Sequence, residues 1–190
     1  IYNSIREPHL FYKSVNYLLQ NVGNRFSLQQ LGKSLGSNEN TMGSYINYLC
    51  NSYICSDIRN FSFSLKETKR SDHKCYCIDN GLMQANTSRF SPDSGKFFEN
   101  LVYNELVNKG YQNISFDNGK GECDFLAQKD GDIHAFQVCY ELTDNNKTRE
   151  FRGFSVPQIP VRTKTLITYN QKEQVDDIRV MPLWEWALEK

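Results

Sequence analysis

The chain has 190 residues, of which 39% are hydrophobic and 13% aromatic, so it can build one large or two small packed domains and is not a disordered chain. Its 22 basic residues balance its 22 acidic residues. No net field therefore draws the whole molecule onto nucleic acid or anionic lipid, and any such binding requires a local patch.

Targeting and redox signals point to the cytoplasm. No apolar run approaches the roughly 20 residues that span a bilayer, and the first residues lack a signal-peptide pattern. The six cysteines include no CxxC pair, and a cytosolic chain keeps its thiols reduced, so we expect no disulfide framework. The chain begins at Ile1 without a methionine, which indicates a segment of a longer protein.

The first half of the chain is predicted to form three helices followed by a hairpin. Apolar spacing predicts a helix over 9–22, and a second, short helix over 27–35 begins at an N-cap serine. A third amphipathic helix is predicted over 38–51, where apolar residues recur at i, i+3, i+4 and i+7. Residues 53–79 then alternate like two strands joined by a charged loop. The apolar face of the third helix consists of Met42, Tyr45, Ile46 and Leu49.

This order resembles a winged helix-turn-helix, which we assign to residues 1–88. In that fold the third helix enters the major groove of DNA, and the hairpin loop contacts the backbone. The third helix has no Lys or Arg, so DNA binding and a structural or protein-docking role both stay open. Residues 59–74 carry an excess of three positive charges. The candidate nucleic-acid contacts in this loop are Lys66, Lys69, Arg70 and Lys74.

A short match to a phosphate-binding loop does not predict a nucleotide site. Gly32, Lys33 and Ser34 look like the end of such a loop, but the loop requires a glycine at position 27, where this chain has serine. The segment also lies within a predicted helix and does not follow a strand. We therefore expect no nucleotide-binding loop of this type in the chain.

After a polar linker at 86–95 the pattern changes to mixed α and β. A helix ending at Gly110 is followed by strands and helices whose order predicts an α/β (α+β) fold, a small mixed sheet flanked by helices, over 89–190. Strands are predicted near 112–116, 122–128, 133–141, 163–169 and 178–181, and helices near 146–154 and from about 183.

A tight hairpin sets the register of two of these strands. Asp130 and Gly131 predict a two-residue type I′ turn, so Lys129 faces Asp132. Because side chains alternate along a strand, the register places two acids, an amide and a thiol on one face. These four residues are Glu122, Asp124, Gln137 and Cys139.

This arrangement resembles the core of the PD-(D/E)xK nucleases, a helix with Glu followed by a hairpin with Asp and Glu/Gln-x-Lys. The resemblance implies that Glu99, Asp124 and Gln137 are catalytic and hold Mg²⁺ or Mn²⁺, which would activate water for phosphodiester hydrolysis. The lysine position is occupied by Cys139, whose neutral thiol does not supply the charge of lysine. Lys147 or Arg149 would replace that charge only if the following helix folds back over the site.

Over nearly its whole length the chain resembles the C-terminal region of an uncharacterised family of AAA-type ATPases. In that family an ATPase domain precedes a winged helix and a nuclease-like domain of unknown function. The resemblance implies that ATP binds only to an N-terminal domain outside this chain. The matching segments are KCYCIDNGL (74–82), GKFFENLVYNEL (95–106), GECDF (121–125), FQVCYEL (136–142) and TRE (148–150).

Three functions follow as expectations. The first is a non-catalytic, nuclease-like module that recognises DNA or a partner for the attached ATPase. The alternatives are a metal-dependent nuclease and a winged-helix DNA-binding regulator. The supporting residues also have an ordinary structural interpretation, because Glu99 and Glu122 can be solvated acids, and Arg149 and Glu150 can form a polar network that fixes the second helix.

Overall fold

The chain forms two compact units. In the computed structural model the first unit is Ile1–Arg59 with Ser64–Pro92, and the second is Asn60–Phe63 with Asp93–Lys190. Both combine helices with a sheet, which confirms the α+β class. None of the helices described is long and apolar enough to cross a membrane. The structure describes residues 5–64, 72–86, 94–119, 121–155 and 159–189.

In the first unit, three helices precede the main strands, as predicted. The sheet has the order β1-β3-β2 and is antiparallel. Strand β1 and helix α4 were not predicted, because neither is long enough to show a periodic spacing of hydrophobic residues. The elements are α1 Pro8–Gln20, β1 Arg25–Phe26, α2 Leu28–Ser34, α3 Glu39–Asn51, β2 Cys55–Arg59, β3 His73–Cys77 and α4 Asn80–Asn86.

A tight turn joins α2 to α3. Ser27 caps α2 by accepting a hydrogen bond from the Gln30 N–H at 3.2 Å. Gly36 has a φ of 71°, which favours glycine. A Cβ on Gly32 would lie only 2.9 Å from the carbonyl carbon of Asn38, so the start of α3 packs directly on the backbone of α2. The two helices therefore have a closely fixed relation within the first unit.

The second unit contains a six-stranded mixed sheet of order β4-β5-β6-β7-β9-β8. Strand β7 is parallel to β6 and to β9, and the other pairs are antiparallel. The predicted elements are present, with the three-residue β8 in addition. They are α5 Ser94–Asn108, β4 Gln112–Asp117, β5 Cys123–Lys129, β6 Asp132–Val138, α6 Asp144–Arg152, β7 Val161–Thr168, β8 Glu173–Val175, β9 Ile178–Pro182 and α7 Leu183–Leu188.

The predicted register of the β5–β6 hairpin is confirmed. Lys129 pairs with Asp132, and Phe125 pairs with Phe136 farther along the strands. The φ angles of the two turn residues are 53° and 89°, both positive as a type I′ turn requires. The hairpin therefore presents alternate side chains to its two faces as expected.

Both faces of this hairpin are covered. On one face the ring of Phe125 lies 6.0 Å from that of Tyr103 in α5, and Phe136 lies 5.5 Å from Trp186 in α7. On the other face Leu126 and Ala135 belong to a buried cluster that also contains residues following β6 and α6. The face on which the acids were predicted is thus part of the protein interior. Further members of this cluster are Leu142, Phe154 and Ile159.

Candidate functional site

The structure brings Asp124 and Gln137 together, as the predicted register requires. Their exposed fractions are 9% and 6%. The backbone N–H of Asp124 donates to Oε1 of Gln137 at 3.2 Å. The backbone N–H of Val138 donates to Oδ2 of Asp124 at 2.9 Å. The acid and the amide are therefore tied to the backbone of the opposite strand.

Helix α6 folds over these residues and adds a third buried polar group. The Gln137 side chain donates from Nε2 to Oε2 of Glu150 at 3.0 Å, and Glu150 is only 4% exposed. Arg149 donates from Nε and Nη2 to the other carboxylate oxygen, Oε1, at 3.0 and 2.5 Å. A chain of hydrogen bonds thus runs from the interior to an arginine at the surface.

Arg149 is the cation of α6 that joins this series of hydrogen bonds. Its side chain is 80% exposed, and its hydrogen bonds to Glu150 raise the pKa of the guanidinium. Lys147 contacts Glu173 instead, with a separation of 2.7 Å between Nζ and Oε1. Of the two substitutes proposed for the missing lysine, only Arg149 joins the buried network, and it is held by a carboxylate.

Two glycines allow α6 to approach the hairpin so closely. A Cβ on Gly121 would overlap the carbonyl oxygen of Arg152 and lie 2.7 Å from its carbonyl carbon. A Cβ on Gly153 would lie 2.6 Å from Oε1 of Gln137 and 2.7 Å from the carbonyl oxygen of Glu122. Sequence reasoning did not identify either glycine as part of the site. The GECDF segment and the glycine after TREFR were the available signals.

Cys139, in the lysine position, is a buried thiol. Its exposed fraction is 8%, and its Sγ donates to the carbonyl oxygen of Glu141 at 3.1 Å. The side chain of Asn146, a residue not singled out from the sequence, donates to the sulfur at 3.5 Å. Burial and the nearby Glu150 raise the pKa of the Cys139 thiol to about 11. The thiol is therefore neutral at physiological pH.

This environment makes native alkylation of Cys139 slow. At pH 8 the thiolate is a small fraction, because the pKa is about 11, and that fraction grows only as the pH rises toward this value. We expect iodoacetamide to modify Cys139 far more slowly in the folded chain than in urea. Peptide mass spectrometry measures this, with the same peptide alkylated in urea as the reference. Equal rates for folded and unfolded Cys139 would contradict it.

Glu122 and Glu99 are placed differently from Asp124. Glu122 is exposed and precedes the first residue of β5, so it does not share the buried setting of Cys139 as the predicted face implied. The regular strand begins only at Cys123, and Gly121, just before Glu122, lies against the end of α6. Glu99 is half-buried on α5.

The donor set fits a magnesium ion poorly. Among the residues that the structure describes, no three His, Cys, Asp or Glu side chains are grouped so as to hold a metal ion. The oxygen of Gln137 accepts from the backbone of Asp124, and its amide nitrogen donates to Glu150. One lone pair of the Gln137 oxygen is thus already used, and the orientation of the amide is fixed by internal hydrogen bonds, so at most one lone pair is left for a cation.

The candidate nucleic-acid contacts of the hairpin loop are only partly covered by the structure. Lys66, Lys69 and Arg70 lie outside the described residues. Lys74 lies in β3 with an exposed fraction of 2%, opposite Ile58 of β2. At this exposure its ammonium group is not presented at the protein surface for a phosphate contact.

Comparison with known proteins gives matches in both halves of the chain. Residues 2–93 match a domain of unknown function, DUF8612, and residues 94–186 match another, DUF4143. No solved structure matches the chain significantly.

Two curated relatives are described as uncharacterized proteins. A protein of Methanocaldococcus jannaschii is 30% identical over 91% of this chain and 43% of its own length. A protein of Haemophilus influenzae is 26% identical over 97% of this chain and 47% of its own length. The chain thus spans less than half the length of these relatives, and it is similar over nearly all of its own length to proteins with no assigned activity.

Proposed function

We propose that this chain is the C-terminal accessory region of an AAA-type ATPase. Its second unit has a restriction-endonuclease-like fold that no longer cleaves phosphodiesters, and its first unit is a winged helix that recognises nucleic acid for the attached ATPase. The ATP site belongs to an N-terminal domain outside this chain. Magnesium or manganese would act at the second unit only under the alternative, a working nuclease.

The observation that carries this proposal is the hydrogen-bond chain from Asp124 through Gln137 to Glu150. A metal-dependent nuclease needs carboxylate oxygens that are available to a cation and to the attacking water. Here an amide holds the second position, and both of its ends are used within the protein. In the hairpin that resembles a nuclease core, the polar side chains are thus hydrogen-bonded to one another.

The missing lysine points in the same direction. Charge that develops on a phosphoryl group in the transition state needs a cation fixed beside it. Cys139 is neutral and buried, and the guanidinium of Arg149 is bound to Glu150. The positions of Cys139, Arg149 and Glu150 are thus explained by a structural hydrogen-bond network, and no catalytic role is needed to account for them.

Similarity supports the attachment to an ATPase. The second unit matches DUF4143, a domain commonly found in AAA-ATPase-associated proteins. The curated relatives are about twice as long as this chain, which leaves room for a further domain in those proteins.

Charge supports the assignment of nucleic-acid recognition to the first unit. That unit has ten Lys and Arg against six Asp and Glu, whereas the second unit has twelve against sixteen. The neutral chain therefore combines one positive and one negative unit. Because affinity for nucleic acid depends mainly on neutralising phosphates, the positive unit is the better candidate.

A cleavage assay tests the loss of catalysis. Supercoiled plasmid, single-stranded DNA and RNA are incubated with the chain and Mg²⁺ or Mn²⁺, beside the Asp124→Ala variant and an Asp132→Ala control. Asp132 lies on the neighbouring strand, and its exposed side chain pairs with Arg162 at 3.7 Å. We expect no cleavage above background from any of the three proteins.

Cleavage that is lost in Asp124→Ala and retained in Asp132→Ala would contradict the proposal. It would support the alternative, a metal-dependent nuclease, with Asp124 in its site and with Glu99 and Gln137 as the next residues to vary. Cleavage that persists equally in all three proteins would identify a contaminating nuclease, because it would not depend on the buried acid.

A further inference from the structure

The outer face of α3 carries a row of uncharged hydrogen-bonding side chains. Asn40, Ser44, Asn47 and Asn51 are all exposed. Their spacing of four, three and four residues places them within about 60° of the helix circumference, along about 16 Å of its length. We call these four residues the α3 stripe. Glu39, the first residue of α3, lies outside the arc that the α3 stripe occupies.

The opposite face of α3 is anchored in the core of the first unit. Met42, Tyr45, Ile46 and Leu49 are each at most 5% exposed. The close contact at Gly32 and the cap formed by Asn38, which accepts from the Thr41 N–H at 3.0 Å, fix the start of the helix. The α3 stripe is therefore presented by a rigid element, and its direction is set by packing.

The composition of the stripe is not explained by helix stability. Asparagine and serine are weaker helix formers than Glu, Lys, Gln or Ala, which normally occupy exposed helical positions. Within the residues that the structure describes, the side chains of Asn40, Asn47 and Asn51 make no hydrogen bond. Three amides thus stand at the surface with their donors and acceptors available to a ligand, and Asn47, in the interior of α3, does so at a cost to the helix.

An asparagine amide matches the major-groove edge of adenine. It donates to N7 and accepts from the N6 amino group, so a single side chain makes two hydrogen bonds to one base. The major groove is about 12 Å wide and admits an α-helix, and a row of amides on the helix then lies along successive base edges. A helix without Lys or Arg can contact base edges while cations elsewhere in the protein contact the phosphates and fix its register.

Cations suited to that second task are present in the first unit. Lys33 ends α2 immediately before the turn into α3, and both Lys33 and Arg25 are exposed. The unit as a whole has an excess of four positive charges. The absence of Lys and Arg from α3 is thus compatible with DNA binding, because positioning and base reading are assigned to different residues.

We propose that the α3 stripe reads A·T base pairs in the major groove of double-stranded DNA. This inference rests on the proposed function, nucleic-acid recognition by the first unit, and adds the class of nucleic acid and the residues that select it. The asparagines contact base edges, and Lys33 and Arg25 contact phosphates.

The test measures binding of the full chain to fluorescent duplexes of equal length, one rich in A·T and one rich in G·C pairs, by fluorescence anisotropy. The variants are Asn47→Ala and Asn51→Ala, with Asn16→Ala on the exposed face of α1 as a matched control. We expect tighter binding to the A·T-rich duplex. Each stripe variant should weaken that binding by about 5-fold or more and reduce the preference, and Asn16→Ala should leave both unchanged.

Unfolding does not confound this test, because alanine is the better helix former at each position and the variants should melt no lower than the parent chain. Salt-sensitive binding without base preference and without an effect of the stripe variants would overturn the inference while leaving nucleic-acid recognition standing. Preference for single strands or RNA would also overturn it. Absence of binding to every nucleic acid would overturn both the inference and the recognition part of the proposed function.

Discussion

Replacing Gly121 by alanine is expected to lower the free energy of unfolding of the second unit by about 3 kcal/mol. The added methyl group would overlap the carbonyl oxygen of Arg152 at the end of α6. Because the obstacle is backbone, no side-chain rotation relieves it, and either the helix or the hairpin must move. Such a movement also weakens the hydrogen bond between Gln137 and Glu150, since α6 supplies one of the two partners.

Tryptophan fluorescence during urea unfolding measures this effect in the right unit. The only two tryptophans of the chain, Trp184 and Trp186, lie in α7, and Trp186 is 3% exposed. Gly119→Ala is the matched control. The three atoms nearest to its Cβ would all belong to the carboxylate of Asp117, the first at 3.0 Å, and this side chain can rotate away. Equal urea midpoints for Gly121→Ala and Gly119→Ala would contradict the close packing of α6 against Gly121.

Replacing Gln137 by glutamate should produce a pH-dependent loss of stability. The substitution removes the amide donor to Glu150 and sets a second carboxylate within about 3 Å of the first in a buried setting. Two carboxylates this close repel each other when both are ionised. The pKa of one of the two carboxyl groups is therefore raised well above its ordinary value. We expect a cost of about 3 kcal/mol at pH 7.

The direction of the pH dependence follows from that raised pKa. A carboxyl group with a folded-state pKa above its unfolded value is favoured in the folded state when protonated, so stability is lost as the pH rises through the folded pKa. The deficit of Gln137→Glu should therefore shrink as the pH falls from about 7 to about 5. Urea midpoints at several pH values, followed by tryptophan fluorescence, measure it.

Gln128→Glu serves as the control for this substitution. Gln128 lies in β5 as well, but its Oε1 accepts from the exposed side chain of Asn113 at 2.9 Å, and a carboxylate accepts equally well. We expect little change at any pH. If Gln137→Glu were as stable as Gln128→Glu at pH 7, the buried contact between Gln137 and Glu150 would not govern this site.

The elements that the sequence predicted correctly are those set by neighbours along the chain. The third helix was identified because its apolar residues recur every three or four positions, and Met42, Tyr45, Ile46 and Leu49 are all buried. The register of the β5–β6 hairpin followed from Asp130 and Gly131, since a two-residue turn leaves one pairing of the strands.

Contacts between segments that are far apart in sequence could not be predicted from local patterns. Residues Asn60–Phe63 group with the second unit, although in sequence they follow β2 of the first unit directly. The backbone N–H of Phe61 donates to the carbonyl oxygen of Phe116 at 2.7 Å, and Phe61 packs against the buried cluster of the second unit. No local pattern indicates a contact between residues so far apart in sequence.

The candidate site divides in the same way. The sequence by itself determined that Asp124 and Gln137 are adjacent, because turn chemistry and strand alternation are local rules. Only the tertiary structure decided that Glu150 completes the network and that Gly121 and Gly153 admit α6, since these contacts depend on how a helix packs across the sheet. Burial by that helix, and not the motif, keeps the Cys139 thiol protonated.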